Sequence, residues 1–408
     1  MLQDLFIESV EFFNHYNSKY KRYFIKTNKL THKLSIILGD RGIGKTTTLA
    51  QIMANYSKDK VLYINLDDIE HIDLSLVEIA KEFELYGGKL LLLDEIHKYK
   101  DWSSHLKTIY DKLNIQVIAS GSSALEINKG SHDLSRRSIV YHMFGMSFRE
   151  FLELHYGYNF NNIELEDILK NHLDMALSIK KEIEKKDNKI LALFKEYLEI
   201  GYYPYYLNIK DKTLFFQTLR QNINTTIESD LLSVFPKLNG LSIMKLKLLF
   251  NAISKSVPMS INLTELKKII DVKDDRTLKD YISKLELANL IKIAFFSPKN
   301  ISNITKNNKI YLANTNLMYL TKTNIGNIRE TFFLNQISNY QINKKFESSI
   351  YLSNIGDFVV DEKYIFEIGG KNKSFKQIKD IENSFVIADD IEVGFGNKIP
   401  LWIFGFLY

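Results

Sequence analysis

Short apolar runs, separated by amphipathic stretches, follow one another along the chain after a helical pattern over residues 1–30. They are Leu34–Leu38, Val61–Leu66, Leu90–Leu93, Ile115–Ala119 and, after a short basic turn, Ile139–Phe144. Runs that are apolar throughout predict strands buried on both faces, as in a parallel sheet covered by helices. We therefore expect an α/β domain over residues 1–155.

The pattern changes twice beyond this region. Residues 156–238 predict helices that form a lid or linker, and the alternating charges of Lys180–Lys186 predict a solvated helix face rather than a binding surface. Residues 239–300 predict a compact three-helix unit, and residues 301–408 predict a second β-rich domain. A chain of 408 residues is long enough for several such domains.

The first apolar run leads directly into a glycine-rich motif. Residues 39–46 read Gly-Asp-Arg-Gly-Ile-Gly-Lys-Thr and match G-x-x-x-x-G-K-S/T at every fixed position, before a predicted helix Thr47–Tyr56. A chance match in a glycine turn is the alternative, and the order strand, loop, helix argues against it. We expect the phosphates of ATP to lie on the backbone amides and the helix N-terminus. The predicted nucleotide-binding residues are Gly39, Asp40, Arg41, Gly42, Ile43, Gly44, Lys45, Thr46 and Thr47. Of these, Lys45 would reach the β- and γ-phosphates.

Two carboxylates follow the third apolar run. Asp94 ends this run and Glu95 comes next, at the edge of the sheet where parallel α/β proteins bind ligands. We expect Thr46 and Asp94 to hold Mg²⁺ and Glu95 to act as base or orienter of the attacking water. An acidic pair that merely caps a strand is the alternative, and the upstream motif disfavours it.

Two further positions are candidates for catalysis. Ser120 and Ser122 follow the fourth run, and either hydroxyl can sense the γ-phosphate; a plain Ser/Gly turn is the alternative. We take Ser120 as the candidate. Arg136 and Arg137 form a basic pair, of which we take Arg137 as an arginine finger that acts in its own chain or in a neighbour's. A surface basic pair is the competing interpretation.

Composition narrows the cellular setting only slightly. There is no cysteine, which excludes disulfides and cysteine-bound metals and agrees with a cytoplasmic protein. No apolar run reaches the roughly 18 residues of a membrane span, so we expect no membrane partner. The net charge of +5 is a weak hint of nucleic-acid contact.

Taken together, these segments resemble the prokaryotic AAA-type ATPases that join a P-loop domain to a winged helix and a C-terminal restriction-endonuclease-like domain. The segments that match are Gly39–Thr46, Tyr63–Asp68, Leu92–Lys98, Ala119–Ser123, Met146–Phe151, Arg329-Glu330 and Phe366–Lys371. The resemblance implies an additional-strand P-loop core with ATP as the nucleotide. It also implies a helical lid, a winged helix over 239–300 and a small α/β nuclease-like domain over 301–408.

Residues 239–300 suit a winged helix in their helix signals. Asn262 and Glu265 form a capping-box pattern, and Asp275 is expected to cap the third helix. That helix carries the apolar stripe Leu278, Ile282 and Leu285 and is followed by a predicted strand Leu290–Phe296. Its cations Arg276, Lys279 and Lys284 are expected to face away from the stripe, where a recognition helix contacts DNA, although Asp280 and Glu286 weaken the positive field.

The C-terminal domain carries the carboxylates that a nuclease needs. Asp357 and Glu367 flank a predicted hairpin, and Glu330 would join them from the preceding helix. Gly369 stands where active enzymes of this fold usually carry lysine, and Lys371 is two residues further on. We therefore favour a module that binds without cutting.

These expectations amount to an ATP-hydrolysing switch or motor with DNA as its favoured partner. A signalling or scaffolding ATPase whose last domain binds protein is the first alternative, and an ATP-controlled nuclease is the second. A P-loop kinase is disfavoured by Glu95 directly after Asp94. A homo-oligomer is left open, because a finger can act between chains.

Overall fold

The computed structural model describes residues 2–68, 75–124, 134–260, 262–296, 308–321, 324–344 and 350–408. They fall into two compact units, the first comprising Met1–Phe144 with Thr225–Leu238 and the second Gly145–Asn224 with Asn239–Tyr408. The predicted boundary at 238 coincides with one of these breaks, whereas those at 155 and 300 do not. The four-domain organisation stays a prediction.

All five apolar runs of the first unit form strands of one parallel sheet. The strands are β1 (Leu34–Leu38), β2 (Val61–Asn65), β3 (Leu90–Asp94), β4 (Gln116–Gly121) and β5 (Ile139–His142). Their order is β2-β3-β4-β1-β5, so that β4 separates the strand before the glycine loop from the strand that ends in Asp94. This arrangement confirms the predicted α/β class and the additional strand.

Five helices of the first unit accompany this sheet. They are α1 (Leu2–Tyr16), α2 (Tyr23–Thr27), α3 (Lys45–Met53), α4 (Leu76–Leu85) and α5 (Trp102–Lys112). The helical pattern expected over residues 1–30 is present but interrupted, because α1 ends at Tyr16 and α2 begins at Tyr23. Between α1 and α2, the carbonyls of Ser18 and Tyr20 accept hydrogen bonds from the Gln51 side chain in α3 instead of continuing a helical ladder.

The core of the first unit lies on the two faces of β3 and its neighbours. Leu90, Leu91, Leu92 and Leu93 are all 0% exposed, because helices cover both faces. Truncation of one such leucine to alanine typically costs roughly 2–5 kcal/mol. The carboxylate at the end of this strand is consequently mounted on one of the most firmly packed parts of the chain.

The second unit begins with a helical region. Its helices are α6 (Phe148–Tyr156), α7 (Leu165–Glu184), α8 (Ile190–Ile200), α9 (Tyr206–Ile209) and α10 (Lys212–Thr225). Lys181 and Lys185 are exposed at the end of α7, in agreement with a solvated face. Of the helices that the structure describes, none is long and apolar enough to cross a membrane.

A short stretch then returns to the first unit. It consists of one turn of π-helix, Thr226–Asp230, and α11 (Leu231–Val234).

The chain continues with helices and a three-stranded antiparallel sheet. The elements are α12 (Gly240–Ser256), β6 (Met259–Ser260), α13 (Leu263–Ile269), α14 (Asp275–Leu287), β7 (Ile291–Ala294) and β8 (Lys309–Leu312). The strand order is β6-β8-β7. Asn262 caps α13 as expected, with its side chain accepting from the Glu265 amide at 3.3 Å.

Two expectations for α14 are wrong. The cap is Asp274, whose Oδ1 accepts from the Thr277 amide at 2.8 Å, and not Asp275. Lys284 does not face solvent, because its stem is buried and its ammonium pairs with Asp280 one turn earlier. Only Arg276 is fully exposed among the three predicted cations, and Lys279 is half-buried.

The last part of the second unit is a mixed sheet backed by a long helix. The elements are α15 (Thr315–Met318), α16 (Ile325–Asn343), β9 (Ile350–Leu352), β10 (Phe358–Val360), β11 (Tyr364–Gly369), β12 (Ser384–Ala388) and β13 (Lys398–Pro400). The strands β9, β10 and β11 are antiparallel, whereas β12 and β13 run parallel to β11. Phe333 of α16 packs against Phe366 of β11 at 4.9 Å between ring centroids.

Glu286 predicts a pH dependence of stability in the second unit. Its carboxylate, partly buried at the end of α14, accepts from the Ile293 amide at 2.9 Å, and burial raises its pKa to about 7. A folded-state pKa above the unfolded value means that the stability contribution is complete below about pH 4.5 and is lost as the pH rises through 7. The substitution Glu286→Gln keeps the acceptor and removes the charge.

We expect Glu286→Gln to match the parent in urea unfolding at pH 5 and to exceed it by roughly 1–2 kcal/mol at pH 8.5. Glu265→Gln, on exposed α13, is the matched control. A Glu286→Gln variant whose difference from the parent does not change with pH would show that this carboxylate is not perturbed.

Candidate nucleotide-binding site

The loop between β1 and α3 has a shape that only its glycines permit. A Cβ atom on Gly39 would lie 2.4 Å from the carbonyl oxygen of Met143, and Gly44 has φ +97° at the start of α3. Gly42 likewise has positive φ. A side chain at Gly39 would collide with fixed backbone, and one at Gly44 would be strained, so the loop curls tightly into the helix N-terminus.

Two contacts from outside the motif hold the loop. Arg22, which is 5% exposed, donates to the carbonyls of Ile43 at 2.7 Å and Phe144 at 2.8 Å. Ser123 donates to Asp40 Oδ1 at 2.8 Å. Sequence reasoning missed Arg22, because a lone arginine 21 residues before its partner carries no motif.

Lys45 lies across the mouth of the loop. Its buried ammonium donates to the carbonyls of Gly39 at 2.9 Å and Asp40 at 3.0 Å. An ammonium has three donors, so these two bonds leave one for a phosphate oxygen. Thr46 and Thr47 are half-buried in the first turn of α3.

Asp94 is the centre of a hydrogen-bonded cluster. Its Oδ2 accepts from the Thr46 hydroxyl at 2.7 Å and from the Tyr63 hydroxyl at 3.1 Å, and its Oδ1 accepts from Ser120. Burial and the charge of Glu95 raise the pKa of Asp94, against the opposing effects of Ser120, Thr46 and Lys45. A divalent cation would favour the charged form. Hydroxyl and carboxylate oxygens are the donors that Mg²⁺ prefers, so this pair suits the predicted metal.

Glu95 occupies a strained backbone position beside Asp94. Its φ is +53°, and its amide donates to Ser120 Oγ at 3.2 Å. Its Oε2 lies 3.4 Å from Nδ1 of His97, and its side chain is 17% exposed. The carboxylate faces a cleft of about 660 Å³ whose lining is rich in acidic and aromatic side chains: Glu8, Glu11, Phe12, His15, Tyr16, Thr46, Tyr63, Asn65, Asp67, Asp68, Asp94 and Glu95.

The structure separates the two candidate serines. Ser120 is fully buried and bonds to Asp94, so in this geometry it orients the carboxylate. The backbone amide of Ser122 approaches Nδ1 of His97 at 3.4 Å. A γ-phosphate sensor at Ser120 stays a prediction.

The two candidate fingers are both placed near the surface. Arg137 makes a two-pronged ion pair with Asp111 of α5, at 2.7 and 3.0 Å, and Arg136 is exposed. The role of Arg137 as a finger stays a prediction, and it requires the Asp111 pair to open.

A residue from the distant stretch Thr226–Asp230 completes this site. Asp230 is 3% exposed and lies 3.0 Å from the Arg41 guanidinium. Sequence reasoning missed it, because 189 residues separate the two partners and no local pattern marks either one.

The carboxylates predicted in the C-terminal region also come together. Tyr311 donates to Glu330 at 2.8 Å, and the Ile368 amide donates to Asp357 at 2.6 Å. Burial, together with the neighbouring charge of Asp357, raises the pKa of both Glu330 and Glu367. Across the residues that the structure describes, no group of three acidic or histidine side chains has the geometry of a metal site.

A lysine does contact Glu367, but it is not the candidate Lys371. Lys373, and not Lys371, pairs with Glu367 Oε1, because the chain turns back after Gly369. Lys371 is exposed. Glu367 is buried, and its other oxygen, Oε2, has no hydrogen-bond partner among the described residues.

Comparisons with known proteins support the assignment of the first unit as a P-loop ATPase domain. Residues 31–152 match a family model described as AAA domain, and residues 191–326 match a domain of unknown function, DUF8612. Two uncharacterized proteins of Methanocaldococcus jannaschii are similar in sequence. MJ1637 is 38% identical over 43% of this chain and 39% of its own length, and MJ1544 is 24% identical over 64% and 53%. The chain thus spans about two fifths to one half of these relatives.

Solved structures are only distantly similar. A chain of the S. cerevisiae Hsp104-ADP complex aligns over 71% of this chain and 42% of its own, with 16% identity and a TM-score of 0.34. AMPPCP-bound DnaA from Aquifex aeolicus aligns over 62% and 82%, with 17% identity and a TM-score of 0.24. Scores this low carry no weight for function. Residues 31–152 thus match an AAA domain and carry the strand order of a P-loop ATPase core, and both observations support ATP binding and ATP hydrolysis.

Proposed function

We propose that this chain is a magnesium-dependent ATPase whose nucleotide state acts as a switch. The observation that carries the proposal is the Thr46–Asp94 hydrogen bond of 2.7 Å, which joins the helix after the glycine loop to the carboxyl end of β3. Lys45 on one side and Glu95 on the other complete the set of groups that phosphoryl transfer to water requires.

Each group has a separate task in this mechanism. The loop amides and the N-terminus of α3 bind the phosphates, and Lys45 offsets their charge. Thr46 and Asp94 would hold Mg²⁺, which supplies further positive charge to the phosphates. Glu95 accepts a hydrogen bond from the attacking water and orients it.

The backbone at Glu95 supports its catalytic role. A non-glycine residue in the left-handed region costs about 1 kcal/mol or more. The Ser120 hydroxyl and His97 hold it there, on the wall of the cleft that also contains Thr46 and Asp94. A glycine at this position would remove the strain but also the carboxylate. The strained position is therefore explained by a need for the Glu95 carboxylate in the cleft.

We expect Lys45→Ala to abolish ATP binding, because the loop then lacks its buried cation. We expect Glu95→Gln to bind ATP normally and to lose turnover by roughly two to three orders of magnitude. Phosphate release and nucleotide binding by calorimetry measure the two effects separately. Glu11→Gln, in the same cleft, is the matched control and should retain parental turnover. Parental turnover in Glu95→Gln would remove Glu95 from the mechanism.

The second unit supports DNA as the partner in preference to a protein. The order α12, β6, α13, α14, β7, β8 with an antiparallel three-stranded sheet is the order of elements in a winged helix. Exposed Arg276 and half-buried Lys279 lie on α14, where such a fold contacts DNA. Because Lys284 is buried and paired with Asp280, this surface has one positive charge fewer than the sequence predicts.

The C-terminal cluster supports binding without cutting. The Lys373 ammonium is neutralised by Glu367, and one oxygen of Asp357 is occupied by the Ile368 amide. A metal and an attacking water would compete with both contacts. Loss of one positive stabiliser at the scissile phosphate typically costs about two to three orders of magnitude in rate.

We expect the purified protein to bind duplex DNA at low salt, to release it as salt rises, and to leave it uncut in Mg²⁺ or Mn²⁺. Arg276→Ala with Lys279→Ala should weaken retention on a DNA column, whereas Lys185→Ala, directly after α7, should not. The absence of salt-sensitive retention on DNA would favour the signalling or scaffolding alternative. Cutting that disappears in Glu367→Gln and Lys373→Ala but persists in Lys371→Ala would establish an ATP-controlled nuclease instead.

A further inference from the structure

Asp230 is a buried carboxylate that lies against the nucleotide site although it is distant in the chain. It ends the π-helical turn Thr226–Asp230. This turn lies in the stretch Thr225–Leu238, which belongs to the first unit although the chain before and after that stretch belongs to the second. Its side chain is only 4% exposed. A charge that is so deeply buried requires partners, since an unpaired buried ion costs several kcal/mol.

Two cationic side chains and one imidazole converge on a single oxygen of Asp230. Its Oδ1 lies 3.0 Å from the Arg41 guanidinium, 3.4 Å from the Lys98 ammonium and 3.5 Å from Nε2 of His97. Burial alone would raise the pKa of Asp230, but the hydrogen bond and the charge of Arg41, together with the nearby imidazole of His97, outweigh burial and hold the pKa below its usual range. The carboxylate is therefore charged at neutral pH.

All three partners of Asp230 come from the nucleotide site. Arg41 is part of the glycine loop, and His97 and Lys98 form the turn directly after Glu95. The other ring nitrogen of His97, Nδ1, lies 3.4 Å from Oε2 of Glu95. His97 thus lies between the two carboxylates. Its Nε2 can donate to Asp230 whether the ring is neutral or charged.

The Arg41 guanidinium can make a further hydrogen bond in addition to its ion pair with Asp230. Its Nε is buried and has no hydrogen-bond partner among the described residues. The charges of Glu95 and Asp67 also act on the guanidinium and add to the effect of Asp230. Glu95 therefore competes with Asp230 for the guanidinium of Arg41.

We propose that Asp230 is a positioning residue for nucleotide hydrolysis, which holds Arg41 and His97 so that the Glu95 carboxylate stays free to orient water. This inference rests on the proposed ATPase function. Without the charge of Asp230, Lys98 would keep Asp67 at 3.9 Å, whereas Arg41 and His97 would turn to Glu95. The Glu95 carboxylate would then be drawn away from the attacking water, and turnover would fall. The positive charge of Arg41 and Lys45 would remain beside the phosphates, so ATP affinity would hardly change.

A purely structural anchor predicts a different outcome. If Asp230 only fastened the stretch Thr225–Leu238, its loss would lower the unfolding temperature and leave the turnover of the folded protein unchanged. If it acted on ATP binding alone, KM would rise while kcat stayed constant. The proposed positioning role differs from both alternatives, because loss of Asp230 would lower kcat while ATP affinity stays nearly constant.

The test is steady-state ATP hydrolysis and calorimetric ATP binding by the full chain carrying Asp230→Asn, with Ser233→Ala on α11 as the matched control. We expect Asp230→Asn to lower kcat by about 10- to 100-fold with ATP affinity within about threefold of the parent, and Ser233→Ala to match the parent. Asp230→Glu, which keeps the charge, should recover part of the loss.

Two further variants keep the test decisive. His97→Gln should also lower kcat, and the double variant Asp230→Asn with His97→Gln should be no slower than the slower single variant, because both act through Glu95. Additive losses, or a parental kcat in Asp230→Asn, would overturn the inference while leaving the ATPase intact. A wild-type chain that does not hydrolyse ATP would instead remove the proposed function, and this inference with it.

Discussion

The buried carboxylate of Asp94 is the constraint around which the first unit is organised. It stands at the end of a strand whose four leucines are fully buried, and it accepts hydrogen bonds from β2, α3 and β4 through Tyr63, Thr46 and Ser120. A charge in this position is costly unless its lone pairs are satisfied. The Thr46 hydroxyl therefore joins α3 to the sheet through the Asp94 carboxylate, and these two groups would also hold Mg²⁺.

This arrangement explains why stability and chemistry cannot be separated at the site. Ser120 both accepts from the Glu95 amide and donates to Asp94, so a single hydroxyl supports the strained turn and orients the metal ligand. Arg22 and Asp230 act in a comparable way on the glycine loop, the first through the Ile43 carbonyl and the second through the Arg41 side chain.

Features encoded by neighbouring residues were predictable from the sequence, and features that depend on distant contacts were not. The five strands, the glycine loop and the Asp94–Glu95 pair each lie within a few residues of one another, and all were placed correctly along the chain. The break after α1 was missed, because it depends on the Gln51 side chain more than 30 residues away. The sequence offered Lys371 as the lysine beyond Gly369, whereas the chain turns after Gly369 and brings Lys373 to Glu367.

Asp94→Asn tests the central claim most directly, because it keeps the shape of the side chain and removes the charge. The measurement is the initial rate of phosphate release from ATP in Mg²⁺, for the parent and for this variant, both at saturating nucleotide. The organisation described above predicts turnover in the parent and a loss of roughly two orders of magnitude or more in Asp94→Asn, with the fold retained. Equal rates in the two proteins would contradict it, since the carboxylate that ties the loop to the sheet would then have no part in hydrolysis.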